Sequence, residues 1–198
     1  MRPVPRNLLC LSALALLPLA ACRPIKLAGE PVGQYRVTGT LADNTCGAGH
    51  PAPPSLTFHV ELRREAGTTS GYWKLPDGPL VSGAFDDTGF RFEQRSEVVG
   101  VAPDYDLGVV GCNLQRAEII TGELGSSIAD AATNTDAGVA DGGALDDAAF
   151  TGRTTIAITP VAGGDCTPLL LPYGGAFPIL PCELRYRLEG TRLEEPLW

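Results

Sequence analysis

Leu56-Thr57-Phe58-His59-Val60-Glu61-Leu62-Arg63 places an apolar residue at every second position and a polar one between. Successive side chains of a strand point to opposite faces, so this spacing describes a strand with one buried and one wet face. The same period lies upstream, where Tyr35, Val37, Gly39 and Leu41 alternate with Gln34, Arg36, Thr38 and Thr40. Downstream, strands are predicted over 70–75 (around Tyr72 and Trp73), at Val81, Gly83 and Phe85, and over 90–93, 112–124, 150–159 and 182–193. Pro76-Asp77-Gly78 and Asp86-Asp87-Thr88-Gly89 carry turn residues between them. No stretch shows the 3.6-residue period of an amphipathic helix.

Eight consecutive strands joined mostly by short turns predict an all-β domain over 33–198. The expected architecture is an eight-stranded antiparallel up-and-down barrel, which removes its sheet edges by closing. A β-sandwich uses the same alternation and is the alternative. Phe58, Phe85, Phe90, Phe92 and Leu188 are the expected filling, with Trp73 packed over the base. Strict alternation in the sixth strand puts Arg116 and Glu118 on the same face as Leu114 and Ile120. A buried charge is costly unless paired. A β-bulge that resets the register is therefore expected there; mutual pairing in a polar pocket is the alternative.

Residues 125–149 break the pattern. They are rich in Ala, Gly and Asp and contain no basic residue, a composition that buries too little apolar surface to offset ordering entropy. A mobile acidic loop is expected. Its aspartates at 130, 136, 141, 146 and 147 lack the spacing and closing glutamate of an EF-hand, which leaves only weak calcium binding as an alternative.

The chain opens with Arg2 and Arg6, followed by a 14-residue apolar run from Leu8 to Ala21. That run is too short to cross a bilayer as a helix, which needs roughly 20 residues. It has the layout of an export signal, and it ends Leu19-Ala20-Ala21-Cys22. This tetrapeptide resembles the lipobox of bacterial lipoproteins. The resemblance implies that residues 1–21 are removed and that the Cys22 thiol is lipidated. Residues 22–32 then form the lipidated cysteine and a tether. Arg23 stands where an aspartate would imply inner-membrane retention, so the resemblance points to a lipid-anchored cell-envelope protein on the outer membrane. Gly33-x-Tyr35 is similar to the Gly-x-Trp start of lipocalins, with tyrosine replacing tryptophan. That similarity concerns architecture alone.

Loss of residues 1–21 removes two of 15 basic residues and none of 23 acidic ones, leaving a formal charge of −10. Such a surface argues against nucleic acid as a partner. Besides Cys22 and the signal's Cys10, four cysteines remain: Cys46, Cys112, Cys166 and Cys182. An even count in an exported chain predicts two disulfides. In a meander the odd-numbered connections share one end, and all four cysteines flank odd connections. Cys46–Cys182 with Cys112–Cys166 is the favoured pairing, because each joins neighbouring strands of a closed barrel. Cys166–Cys182 with Cys46–Cys112 is the other candidate. The Pro-rich, apolar segment 166–182 between the last two cysteines reads either as a lid over that end or as an exposed docking patch.

No signature of catalysis is found. There is no Gly-x-Ser-x-Gly elbow, no phosphate-cradling Gly-x-x-x-x-Gly-Lys and no Cys-x-x-Cys pair. His50 falls in a Gly/Pro loop and His59 on a wet strand face, so neither is expected to act as a base or a ligand. Asp86-Asp87 and Asp104-x-Asp106 fall in turns, where aspartate bonds its own backbone. The expectation is a non-enzymatic binding or scaffold domain with no cofactor and no metal, holding a small apolar ligand or docking on an envelope protein; an enzyme without a local signature is the remaining alternative. In cells labelled with palmitate, the wild-type chain should take up label, whereas Cys22→Ser should take up none and retain residues 1–21. Label on the variant would refute the lipobox reading.

Overall fold

The structure, a computed structural model, describes residues 28–106, 108–125 and 149–195. The expected export signal, Cys22 and nearly all of the acidic segment 125–149 lie outside the described residues. The described chain is a closed barrel of eight antiparallel strands in sequence order. It has the lipocalin-like, up-and-down architecture, and closure excludes the sandwich. The strands are β1 (Glu30–Asn44), β2 (Ser55–Arg64), β3 (Ser70–Lys74), β4 (Leu80–Phe85), β5 (Gly89–Val101), β6 (Cys112–Leu124), β7 (Ala149–Pro160) and β8 (Cys182–Arg192). β1 pairs with both β2 and β8, which shuts the cylinder.

An eight-stranded barrel has an interior just wide enough to be filled by side chains. Here the filling is aromatic. Tyr35, Trp73, Phe85, Phe90, Phe92 and Phe150 are all buried in one cluster with Val37, Val60, Leu62 and Leu188. Trp73 does not cap the base; it lies within this stack, with Phe58, Phe90, Phe92 and Phe150 at centroid distances of 5.9–6.2 Å. The rings fit because glycine stands beside them. Phe90 faces Gly122, Phe92 faces Gly83 and Phe150 faces Gly190, each as a cross-strand partner. A Cβ on any of these glycines would collide with its ring.

A second, smaller cluster fills the end formed by the odd connections. Leu114, Ile156, Ile158, Leu184 and both disulfides meet Phe177, Leu169, Leu170 and Leu180 of the segment between β7 and β8. That segment is a lid. It includes two 3-10 turns, Thr167–Leu169 and Leu171–Tyr173. Cys112–Cys166 and Cys46–Cys182, each with Cα atoms 5.0 Å apart, fasten its two ends to β6 and to the end of β1. At the opposite end the Arg63 guanidinium donates to the carbonyls of Ala28 (2.8 Å) and Gly29 (2.5 Å), and so pins the chain as it enters β1.

The wall is uneven. β3 and β4 are short, and β4 pairs with β5 only from Phe85/Phe90 to Gly83/Phe92. β5 continues to Val101, well past the 90–93 expected from sequence, paired there with β6 alone among the strands. The Gly89 carbonyl faces β4, accepting from the Asp86 amide at 3.0 Å. By the alternation of the ladder, the backbone groups of Glu93, Arg95, Glu97 and Val99 also point to that side, away from β6. A notch therefore opens above the β3–β4 hairpin.

In an ordinary strand, glycine to alanine is neutral or stabilising. Gly122→Ala should instead lower unfolding stability by about 1–3 kcal/mol, read by urea titration. Adding Phe90→Leu should recover part of the loss, and an unchanged midpoint in Gly122→Ala would refute the ring-against-glycine account.

Candidate functional site

Between the aromatic stack and the lid cluster lies a cavity of about 270 Å³. Trp73, Ile120 and Leu188 border it on the side of the stack; Leu56, Phe58, Leu75 and Ile156 supply further apolar wall; Arg116, Glu118, Thr154 and Tyr186 bring polar atoms. Leu56, Phe58, Leu75, Arg116 and Glu118 all keep partial solvent access although their side chains point inward, as the notch in the wall allows.

The polar cluster corrects the sequence expectation. β6 carries no bulge around Arg116: its register against β7 runs unbroken from Leu114 to Leu124. Arg116 and Glu118 do face inward, and they pair at 2.9 Å. Gln94 donates its amide to Glu118 Oε2 at 2.8 Å, and the Thr154 hydroxyl donates to Oε1 at 3.4 Å. Mutual charge plus two hydrogen bonds and residual solvent access replace the relief that a bulge would have supplied. The Tyr186 hydroxyl donates to the Pro53 carbonyl at 3.1 Å, and burial holds its phenol above the ordinary tyrosine value. The site is thus an apolar chamber with one fixed polar wall, the usual composition of a small-molecule pocket.

The other candidate residues stand apart from it. His59 faces outward opposite Arg36, half-buried, with Nε2 lacking a hydrogen-bond partner among the described residues. His50 lies beyond the turn Gly47–Gly49, with Nδ1 3.1 Å from the Pro51 carbonyl. Asp86 accepts from the amides of Thr88 (2.9 Å) and Gly89 (2.7 Å), and these bonds hold its carboxyl below the usual range. Asp104 accepts from the Asp106 amide at 3.1 Å. Both are turn aspartates, as the sequence suggested. Among the described residues no three metal-ligating side chains converge; the loop aspartates lie outside them. Gln94, Thr154 and Leu75 were not foreseen as site residues. Gln94 belongs to the part of β5 that the sequence pattern leaves out.

The chain matches no family model, and neither the curated proteins nor the solved structures hold a significant match to it.

Glu118→Leu strands a guanidinium in the chamber and should cost about 1–3 kcal/mol. Arg116→Met with Glu118→Leu should restore most of that stability, because an apolar pair needs no partner. Thermal unfolding of the two variants checks this; equal losses in both would show that the pair is not coupled.

Proposed function

We propose that this protein is a membrane-anchored envelope lipoprotein whose barrel binds a small, mostly apolar ligand without catalysis. The observation that carries the reading is the chamber beneath the lid, with its apolar walls and the oriented Arg116–Glu118–Gln94 cluster. The walls suit an aliphatic or aromatic body. The cluster suits one neutral hydrogen-bonding group, because its own charges already cancel.

The Leu19-Ala20-Ala21-Cys22 lipobox supports the anchor. The chain enters β1 at the end remote from the lid, so anchoring through Cys22 leaves the notch and lid on the side away from the tether. Arg23 supports the outer membrane as the destination. A second reading, docking on an envelope protein, is favoured by one observation: the lid exposes Leu171, Tyr173 and Ile179 at 54–66% while Phe177 faces the core.

Native mass spectrometry of protein purified from its own membranes tests the first reading. The expected result is a reproducible added mass that denaturation removes. Leu56→Trp, which fills the chamber, should abolish that mass while the near-ultraviolet dichroism stays folded. A bare mass, under conditions that preserve a control complex, would overturn ligand binding and leave docking through the lid.

A further inference from the structure

The outer wall carries a row of arginines that the fold does not require. Arg91 on β5 stands opposite Thr121 on β6, Thr121 opposite Arg153 on β7, and Arg153 opposite Arg187 on β8. All three arginines are exposed. Like charges directly opposite on neighbouring strands destabilise a sheet, and Arg153 and Arg187 are such a pair. Neither has an ion pair or hydrogen bond among the described residues. Neighbouring arginines do find carboxylates: Arg91 and Arg95 share Glu93 at 3.3 and 2.7 Å, and Arg185 holds Glu183 at 2.5 Å.

The row borders concave surface on both sides. A groove of about 620 Å³ lies toward the tether end and one of about 350 Å³ toward the lid, and Arg91, Thr121 and Arg153 line both. The larger groove has a graded lining. Arginines stand at one end, Thr121 and Thr151 line it beside Gly122 and Gly152, and Glu123 and Asp86 stand toward the strand ends. Asp86 takes its three turn bonds through Oδ1 alone.

We propose that the larger groove binds a phosphorylated saccharide. Arg153 and Arg187 stand directly opposite on neighbouring strands, whose backbones lie about 5 Å apart, so their flexible side chains can close on one phosphate, each offering parallel N–H donors to its oxygens. A phosphate there neutralises the Arg153–Arg187 repulsion, and Arg91, two strands from Arg153 beyond Thr121, adds to the positive end of the groove. The carboxylates at the far end repel a second anionic group and accept hydrogen bonds from hydroxyls. The ligand therefore carries its charge at one end and hydroxyls along its body. This site is separate from the interior chamber and independent of what that chamber binds.

Isothermal titration of the full chain with glucose 1-phosphate, glucosamine 6-phosphate, inorganic phosphate and glucose tests the proposal. At least one sugar phosphate should bind about tenfold or more tighter than inorganic phosphate, and glucose should not bind measurably. Arg153→Gln and Arg187→Gln should each weaken the sugar phosphate about tenfold, as expected for loss of a charge-assisted, two-point contact. Arg36→Gln, at an exposed position on β1, should leave it unchanged. Both target side chains are exposed, so folding is not at stake, and circular dichroism verifies it. Binding of inorganic phosphate as tight as any sugar phosphate would reduce the row to a general anion patch and overturn the proposal. Absence of binding, or binding indifferent to Arg153 and Arg187, would also overturn it.

Discussion

A ring can enter the axis of an eight-stranded barrel only where the strand beside it gives up its own side chain. Phe90 over Gly122, Phe92 over Gly83 and Phe150 over Gly190 each meet this condition. Everything else follows from the volume those rings occupy. They fill the half of the barrel nearest the start of β1, Trp73 completes the stack, and Phe58 and Tyr186 bring the next rings into the wall between it and the lid. The chamber lies where the packed stack ends and before the lid's apolar residues begin at the far rim. The glycines weaken their strands individually, and the buried rings return more than is lost, since an aromatic side chain is among the largest apolar surfaces a core can bury.

The two halves of the barrel differ in what holds them. Around the start of β1, the stack and the pairing of all eight strands give a closed wall. Near the lid, β3 and β4 have ended, and covalent links fasten the lid to strands that are already paired. Cys46–Cys182 lies across the seam between first and last strand, and Cys112–Cys166 ties β6 to the chain leaving β7. Each should contribute about 2–4 kcal/mol by restricting the unfolded chain. The polar wall of Arg116 and Glu118 sits at the changeover, where the interior still excludes most solvent but the notch admits some.

Much of this was legible in the sequence, and the limits have a common cause. Alternation of apolar and polar residues reports burial of one face, so strands with a dry inner face, such as β1, β2, β7 and β8, were visible. The parity of connections then placed Cys46, Cys112, Cys166 and Cys182 at one end, and strand neighbourhood favoured the pairing found over Cys166–Cys182 with Cys46–Cys112. β5 was cut short at Glu93 because Gln94, Ser96 and Val98 line the notch, where the inner face is wet and the period vanishes although the strand does not. Arg116 and Glu118 were read as a sign of a bulge because the hydrogen bond from Gln94, across the strand, cannot be seen from β6 alone. The chamber itself depends on where two layers of filling fail to meet, which no local pattern encodes.

The lid's fastening has a consequence for how the molecule survives damage. Cys46 and Cys182 enclose β2 through β7 in a single covalent ring, with the Cys112–Cys166 link nested inside it. A protease cut at any one peptide bond between residues 46 and 182 opens the ring without dividing the molecule. Both pieces remain joined through sulfur, and the barrel's strand order is preserved. Exposed connections between strands are where such cuts fall most readily. The molecule thus gains tolerance of a single nick in any of its middle connections.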